Sequence, residues 1–388
     1  MKLFKVQKNK NMIQIKKVTT KKELKTFIRF NYELYKENPY SVPDLYDDMV
    51  STFTREKNPS FEFCEADYFL AYDANGKVVG RVAAIINQRS NEAWDTKNVR
   101  FGWIDFIDDT EVSKALLDTV AAWGKERGMT TMQGPMGFVD LDAEGLLIEG
   151  FDQLSTMATI YNYPYYQTHL EQYGLEKDND WVEFKINIPD AIPDKMKRIA
   201  DLISRKYGLH IKKLKDMKEV NEGNYGQKIF NLINDEYSHL YGYSRMSQKQ
   251  IDQYVNMYLP ILDLRMVTLI EDAEDNLVGV GVSMPSLSKA LQKAKGKMFP
   301  FGWWHLLKAL RFNRPKTLDL MLVAVKQEYQ NKGVNSLLFT DLIPTYQALG
   351  FKNAESNPEM ETNNKVQAQW EYFDTTQHKR RRAYKKNI

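Results

Sequence analysis

The chain has 388 residues, 43% of them hydrophobic and 27% charged, which is ordinary for a globular protein and enough for two domains. Its formal net charge of +3 is too small to indicate a nucleic-acid-binding protein. The single cysteine, Cys64, excludes an internal disulfide framework and a multi-cysteine metal site, and it suits a reducing cytoplasm. The five histidines share no metal-ligand spacing, so we expect no metal site.

The two ends of the chain are basic. The stretch Met1–Lys10 leads into no apolar signal region, and the sequence has no apolar run of about 18 residues. We therefore expect neither secretion nor a membrane-spanning helix, and a cytoplasmic protein. The run Lys379–Lys386 is typical of a solvent-exposed tail, with contact to an anionic partner or a membrane surface as the alternative.

The first half begins with a strand, a helix and a hairpin. A strand over Ile13–Val18 precedes a helical pattern over Lys21–Tyr35. The segment Tyr68–Val82 contains two alternating strands around an Asn-Gly turn, which strongly indicates a hairpin. A strand over Phe101–Phe106 and a helix over Val112–Arg127 follow.

Two prolines mark the junction between the halves. Pro189 and Pro193 follow the last predicted strand of the first half, Trp181–Ile188, and proline cannot continue a strand ladder. The pattern then predicts a connecting helix over Asp194–Tyr207, because proline is favoured at a helix start and Gly208 can end the helix.

The second half repeats the order of the first. A strand over His210–Leu214 and a helix over Tyr225–Leu240 come first, and Met266–Val282 supplies the matching hairpin. A strand over Leu318–Val325 then precedes a helix over Ser336–Leu349. A repeat this long indicates duplicated domains, 1–190 and 191–388, rather than a solenoid.

An insert, residues 286–316, lies between the second hairpin and the strand that follows it. From Ser286 to Pro315 it holds seven Lys or Arg, three Phe, the adjacent Trp303 and Trp304, and no acidic residue. Tryptophan and basic residues beside an apolar helix face are typical of membrane interfaces. One hypothesis is a lid or docking element for a lipophilic substrate, with peripheral membrane contact. The alternative is a helical insert whose aromatic side chains fill the junction between the halves.

The most informative stretch joins the strand Leu318–Val325 to the helix at Ser336. A strand that turns tightly into a helix leaves backbone N–H groups pointing outward at an anion site, and a pyrophosphate is the usual occupant. The stretch resembles the acyl-coenzyme A motif of the Gcn5-related N-acetyltransferase (GNAT) superfamily, Arg/Gln-x-x-Gly-x-Gly/Ala. Gln330 and Gly333 match that motif. Asn335 departs from it, although Asn tolerates a positive φ better than most residues.

The resemblance extends over nearly the whole chain, because each half has the element order of the acetyltransferase fold. It implies an α/β (α+β) protein with two tandem GNAT-like domains, each a mixed, mostly antiparallel twisted sheet flanked by helices. It also implies acyl transfer from acetyl-CoA or a longer acyl-CoA to a primary amine. The insert prompts a further resemblance, to the branch that includes bacterial ceramide synthases, which acylate sphingoid amines.

The resemblance assigns the coenzyme site to the second half. Backbone N–H groups of the turn would hold the pyrophosphate, and Lys332 would add positive charge. The edge backbone of Val323 and Val325 would bind the pantetheine amides. Asn364 matches, within one residue, a helix-start Asn that contacts the coenzyme in the family. The turn residues concerned are Gln330, Asn331, Lys332, Gly333, Val334 and Asn335.

Tyr372 lies where family members carry a tyrosine that protonates the leaving thiolate, and such an acid suits the chemistry. The alternative is an aromatic core residue, since Trp370 and Phe373 flank it. The sequence indicates no general base. The candidates near the expected cleft are Glu271, His305, Asp319 and Glu355.

The first half lacks these features. Its corresponding turn, Asp108–Val112, has three carboxylates and no glycine, so it would repel a pyrophosphate and crowd the backbone. Leu170 stands at the position of Tyr372 and cannot donate a proton. We interpret the first half as having lost coenzyme binding and as shaping an acceptor cleft at the domain junction.

Two other functions stay open. One is a non-catalytic module, built from degenerate acetyltransferase domains, that binds acyl-CoA or a protein; Asn335 and the missing base favour it. The other is aminoacyl transfer from tRNA on the related tandem fold, which the near-neutral charge disfavours. The sequence indicates a small-molecule or lipid amine as acceptor, but neither the acyl chain length nor the oligomeric state.

Overall fold

The computed structural model describes residues 13–388, and the basic stretch Met1–Lys10 lies outside the described residues. The strands are β1 (Gln14–Lys17), β2 (Cys64–Tyr72), β3 (Val78–Asn87), β4 (Asn98–Phe106), β5 (Thr131–Gly134), β6 (Leu146–Glu149), β7 (Glu176–Asn187), β8 (His210–Lys212), β9 (Val267–Glu271), β10 (Leu277–Pro285), β11 (Thr317–Val325), β12 (Asn353–Ser356), β13 (Glu359–Met360) and β14 (Thr375–Asn387).

The helices are α1 (Lys21–Leu34), α2 (Tyr46–Phe53), α3 (Gln88–Ala93), α4 (Thr110–Lys125), α5 (Tyr165–Gln172), α6 (Asp194–Tyr207), α7 (Met217–Glu222), α8 (Tyr225–Tyr237), α9 (Gln248–Tyr258), α10 (Ser288–Ala294), α11 (Gly302–Leu307), α12 (Asn335–Ala348) and α13 (Asn364–Gln367). A π-helical turn continues α11 over Lys308–Phe312, and 3₁₀ turns span Pro59–Glu62, Leu259–Ile261, Leu264–Met266, Gln327–Tyr329 and Ala368–Tyr372.

The predicted strands, hairpins and helices are all present, with ends that shift by a few residues. Local signals explain this agreement. Thr20 and Glu23 form a capping box at the start of α1. The connecting helix α6 begins after Pro193 and ends at Gly208, whose φ of +65° suits a residue without a Cβ. Helix α6 packs against α12.

All these strands join one mixed sheet. Its main order is β1-β2-β3-β4-β5-β14-β7-β12-β11-β10-β9-β8, with β6 beside β14 and β13 beside β7. The pairs β4–β5 and β11–β12 are parallel, and the other pairs of the described chain are antiparallel. The predicted fold class, a mixed and mostly antiparallel sheet flanked by helices, is confirmed.

The two halves exchange their last strands at the centre of this sheet. Strand β7 ends the first half but pairs with β12 of the second half. Strand β14 ends the second half but pairs with β5 of the first half, and β7 and β14 pair with each other. One continuous sheet therefore crosses the junction, and the division into domains 1–190 and 191–388 stays a prediction about the repeated units.

The interpretation of Lys379–Lys386 as a solvent-exposed tail was wrong, because this run forms most of the central strand β14. Lys379 and Arg381 are fully buried and both pair with Glu183 of β7, with 3.0 Å from Lys379 Nζ to Glu183 Oε2. Burial alone would raise the pKa of Glu183, but the charges of Arg381 and Lys379 outweigh it and hold this pKa at about 2. The dense charge of this run was misinterpreted as a sign of exposure, since Glu183, the carboxylate that both buried cations share, lies 196 residues away from Lys379 in the sequence.

The loop 135–145 lies at the junction of the two halves. Its Leu141 contacts the core beneath α1 and α2 of the first half, around Phe27 and Phe138. The same side chain contacts the core beneath α8 of the second half, around Ile229 and Leu269. The α1–α2 side of the first half therefore meets the α8–α9 side of the second half across this loop.

Candidate active site

Strand β11 separates from β12 partway along its length. The two strands pair over Thr317–Leu320 and then diverge. At the same point β11 has a bulge, since the pairing with β10 skips Met321. The Met321 carbonyl accepts a hydrogen bond from Asn357 Nδ2 at 2.6 Å instead of from a strand. Bulges are common beside active sites because they open a ladder and redirect side chains, so the edge of β11 beyond Met321 is a candidate binding surface.

A cavity of about 410 Å³ opens beside this edge, within the usual range for ligand sites. Its wall combines the end of β11, the turn into α12, the end of α8, the start of α6 and the segment around α13. Eight of the ten residues that the sequence assigned to the site line this cavity: Val323, Val325, Gln330, Asn331, Gly333, Val334, Asn335 and Tyr372. Lys332 and Asn364 do not.

The turn between β11 and α12 presents unpaired backbone donors. The N–H groups from Asn331 to Val334 donate no hydrogen bond to any residue between 13 and 388. Asn331 and Gly333 have φ values of +59° and +85°. A Cβ at Gly333 would lie 2.7 Å from Ile199 Cγ2, so the conformation and the space both require glycine. Free N–H groups at the start of the 14-residue helix α12 suit a bound phosphate.

Asn335 does not need the left-handed conformation that the motif suggested. It is the first residue of α12, and the left-handed positions are Asn331 and Gly333. Its Nδ2 donates a hydrogen bond to Gln369 Oε1 at 3.2 Å. The departure from the family motif therefore leaves the turn intact, and it connects the turn to the segment that carries Tyr372.

Side chains, rather than a neighbouring strand, bind the carbonyls at the open end of β11. Gln330 Nε2 donates to the Val325 carbonyl at 3.0 Å and to Glu236 Oε2 at 2.9 Å. Tyr237 Oη donates to the Val323 carbonyl at 2.9 Å. Burial raises the pKa of Tyr237 to about 12, so its hydroxyl stays protonated and remains a donor. The repeat placed a helix over Tyr237 but did not indicate this contact.

Lys332 and Asn364 lie outside the cavity wall. Lys332 Nζ lies 4.8 Å from the ring centroid of Tyr207 and 5.7 Å from that of Tyr329, in cation–π contact on the outer side of the turn. Asn364 is exposed, whereas its neighbour Asn363 lines the cavity and caps α13. The match to the family was uncertain by one residue, and the structure favours Asn363 as the cavity residue.

Tyr372 lies at the cavity rim with 39% of its surface exposed. The core role considered as the alternative fits Trp370 instead, which is buried and packs near Phe339 and Phe373. Lys195 Nζ lies 5.0 Å from the Tyr372 ring centroid. Tyr372 is therefore accessible to a ligand in the cavity, and its role as a proton donor stays a prediction.

A buried carboxylate lies on β11 two residues before the bulge. Asp319 is 1% exposed, and neither of its oxygens has a hydrogen-bond partner among residues 13–388. It is in register with Glu355 of β12. Burial, and then the charge of Glu355, raise the pKa of Asp319 to about 7. Of the four candidate bases, Glu271 accepts from Tyr225 Oη at 3.0 Å on β9, and His305 lies in the insert. Glu355 accepts from Lys379 Nζ at 3.1 Å. Asp319 does not line the cavity, but of the four candidates it is the buried carboxyl without a partner, which makes it a candidate proton acceptor.

A second group of carboxylates, in the junction loop 135–145, was not predicted from the sequence. Asp140, Asp142 and Glu144 are half-buried, and burial raises the pKa of Asp140 and Glu144 and brings that of Asp142 to about 6. The charge of Asp140 contributes to the raised pKa of Tyr237, but none of the three carboxylates lines the cavity. The spacing of these residues is ordinary for a loop, so the sequence did not indicate their burial.

The splayed strands, the turn and the repeated halves define the class of protein: the chain has the tandem GNAT fold. The structure resembles the tandem GNAT protein from the clavulanic acid biosynthesis pathway with a TM-score of 0.55. The match covers 97% of this chain and 98% of that one, at 12% sequence identity.

No family model matches the sequence. The chain is 27% identical to protein YghO of Escherichia coli (strain K12) over 376 residues, which are 95% of this chain and 94% of that protein. It is 26% identical to the bacterial ceramide synthase of Caulobacter vibrioides (strain NA1000 / CB15N) over 379 residues, 96% of each chain. The predicted resemblance to tandem GNAT proteins, and to the branch with bacterial ceramide synthases, is confirmed.

Proposed function

We propose that the protein transfers an acyl group from acyl-CoA to a primary amine. The tandem GNAT fold and the ceramide synthase relative support acyltransferase chemistry in general. The finer proposal rests on one observation, the turn between β11 and α12. Its unpaired N–H groups and its required glycine, Gly333, border a cavity at the open edge of a splayed strand.

The residues present fit acyl-CoA. The N–H groups from Asn331 to Val334 would hold the diphosphate, and Asn363 would contact the coenzyme beside them. The edge of β11 at Val323 and Val325 would hold the pantetheine arm, whose amides can exchange with the side-chain donors now on those carbonyls. Apolar side chains such as Phe339 complete the cavity lining. When bound, the coenzyme supplies a thioester, which is reactive toward amines.

In the proposed reaction the amine nitrogen forms a bond to the acyl carbon, and the bond from that carbon to sulfur breaks. Tyr372 would give its hydroxyl proton to the departing sulfur. Tyr237 is less suited to this role, because burial raises its pKa to about 12 and makes its hydroxyl a weaker acid. Asp319 would take a proton from the amine, and a carboxyl with a pKa near 7 can do so at neutral pH.

For the acceptor we propose a lipophilic, sphingoid-like amine. The name of the Caulobacter relative supports this class, as does the aromatic insert at the opposite end of β11 from the turn. Strand β11 has nine residues and is therefore about 30 Å long, so coenzyme and lipid can approach from opposite ends.

The test is amine-dependent release of coenzyme A thiol from purified full-length protein. Acyl donors from acetyl- to palmitoyl-CoA would be combined with long-chain and short soluble amines, and the acylated amine would be identified by mass spectrometry. The protein's own thiol should add little to the thiol signal. Cys64 is the single cysteine, and burial raises its pKa to about 12, so it reacts slowly with thiol reagents. Saturable acyl-CoA binding without thiol release with any amine would favour the non-catalytic module instead.

A further inference from the structure

The insert carries a concentrated patch of exposed aromatic side chains. Ten large hydrophobic side chains are exposed between residues 13 and 388, and five of them lie in this one short segment. The five, with exposed fractions from 42% to 76%, are Phe299, Phe301, Trp303, Trp304 and Phe312. We call them the aromatic patch. The alternative in which the aromatic residues of the insert fill the junction between the halves is therefore wrong.

The opposite side of the insert is anchored to both halves. Leu291, Leu306 and Leu310 are buried against Met284 of β10 and against Leu45 of the first half. The first half also bonds directly to the insert: the Tyr46 N–H donates to the Gly296 carbonyl at 2.9 Å, and Gln292 Nε2 donates to the Pro39 and Ser41 carbonyls, each at 2.9 Å. The structure thus holds the aromatic side outward.

Three members of the aromatic patch, Trp303, Trp304 and Phe312, adjoin one another. The ring centroids of Trp303 and Trp304 are 5.9 Å apart, and those of Trp304 and Phe312 are 6.2 Å apart. These side chains contact each other and still remain exposed. A cluster of exposed apolar side chains normally marks an interaction site, because water solvates such a surface poorly.

Positive charge surrounds the patch. The insert has no acidic residue, and seven of its basic residues are exposed: Lys289, Lys293, Lys295, Lys297, Lys308, Arg311 and Lys316. A pocket of about 240 Å³ at its margin is lined by Arg29, Lys295 and Lys297 together with Asp47 and two tyrosines. Lysines beside such a pocket suit an anionic headgroup, with Asp47 as the single opposing charge.

We propose that the aromatic patch docks on an anionic phospholipid membrane. Phenylalanine side chains would enter the acyl region, tryptophans would lie at headgroup level, and the basic side chains would contact the anionic lipids. An anionic surface is favoured because the charge of the insert is all of one sign. None of the helices in the described part of the chain is long and apolar enough to span a bilayer, so the patch would support peripheral attachment. The inference stands apart from catalysis and would explain access to a lipid amine.

Flotation of full-length protein with phosphatidylcholine vesicles, with and without phosphatidylglycerol, tests the proposal. We expect binding to the anionic vesicles that falls as salt rises, because salt screens surface charges. A Trp303→Ala/Trp304→Ala variant should bind roughly ten-fold more weakly, since it loses two interfacial side chains. Trp94→Ala is the matched control, because Trp94 is also exposed (40%) but lies in the first half, outside the insert.

A second variant tests the proposal even if the Trp303→Ala/Trp304→Ala variant fails to fold. Lys295→Glu/Lys297→Glu changes only exposed side chains, so its thermal unfolding should match the wild type while its anionic-vesicle binding falls. Acyl-CoA affinity, measured by calorimetry, should stay unchanged in both variants, which separates docking from the proposed function. No binding by the wild type at low salt, or equal losses in Trp94→Ala and the Trp303/Trp304 variant, would overturn the proposal.

Discussion

The two halves build the same strand, turn and helix but treat the turn in opposite ways. In the second half, the turn into α12 leaves four N–H groups unpaired beside a cavity. In the first half, carboxylates occupy the turn into α4. Asp109 Oδ1 accepts from the Glu111 N–H at 2.9 Å, and Asp108 Oδ1 lies 2.9 Å from His169 Nε2. A side chain has thus taken the place that an anionic ligand would need.

The ends of the strands that lead into these turns differ in the same way: side chains of the first half fill the space beside β4, whereas a cavity lies beside β11. The Phe106 carbonyl at the end of β4 accepts from Tyr165 Oη at 2.6 Å, and the Phe106 N–H donates to Tyr166 Oη at 3.0 Å. Tyr166 and Leu170 are fully buried where the second half has its cavity and Tyr372. A duplicated fold can thus keep its sheet while one copy fills its site with its own side chains. This arrangement supports the prediction that the first half has lost coenzyme binding.

The largest expected effect is on stability, at the buried ion pair between β14 and β7 in the shared sheet. Lys379→Met should lower the free energy of unfolding by about 3–5 kcal/mol, because it leaves the buried Glu183 with one cation fewer. Lys385→Met is the matched control on the same strand, since its pair with Asp178 leaves the lysine half exposed and should contribute at most about 1 kcal/mol. Urea unfolding at pH 7 measures both. Equal losses in the two variants would show that the exchanged strands do not depend on the buried pair.

The contrast between the turns predicts the next effect. Gly333→Val should weaken acyl-CoA binding by about 100-fold, because a β-branched residue strains the positive φ and collides with Ile199. Gly128→Val is the control: Gly128 also has a positive φ, but a Cβ there meets nothing within 4 Å, and it lies in the first half. Calorimetry on the full-length protein should show normal affinity for this control. Unchanged affinity of Gly333→Val would refute the site assignment.

The position that holds Leu170 in one half and Tyr372 in the other predicts an effect on rate. Tyr372→Phe should lower single-turnover rates on the order of 10²-fold with little change in acyl-CoA affinity, because a proton donor acts on the departing sulfur. Tyr329→Phe is the control, since Tyr329 also lines the cavity but matches no catalytic position. If both variants keep the wild-type rate, Tyr372 has no role beyond lining the rim.

Local signals made most of the fold predictable, and long-range pairing made the rest unpredictable. Proline, glycine and capping residues fix α6 and α1 within a few neighbouring residues, so the sequence shows them directly. The run Lys379–Lys386 was misread because most of the carboxylates that compensate its buried charges, Glu183 and Asp180, lie on a strand of the other half. The turn residues were predictable through a family motif, whereas the burial of Asp140 and Glu144 depends on the junction of the two halves, which no motif shows. Asn363 was missed by one residue, which motif spacing alone cannot resolve.

The smallest expected effect concerns Asp319, whose buried carboxyl has a pKa of about 7 instead of its usual value near 4. Only the ionised form can accept a proton, so we expect turnover to rise with pH through about 7. Asp319→Asn should lower turnover roughly ten-fold at pH 8 and remove this limb of the profile, while acyl-CoA affinity stays unchanged.

The same substitution should have the opposite effect on stability. A raised pKa in the folded state means that the folded protein binds more protons than the unfolded chain between about pH 4 and 7, so stability falls as pH rises through that window. Asn cannot ionise, so Asp319→Asn should be more stable than the wild type at pH 8, by about 1–3 kcal/mol, and closest to it below pH 4. Denaturant unfolding at the two pH values measures the difference. A variant that loses turnover and is also less stable at pH 8 would identify Asp319 as a packing residue. A variant that is more stable at pH 8 but no longer shows the rise of turnover with pH would identify Asp319 as a carboxylate that serves the reaction and destabilises the fold.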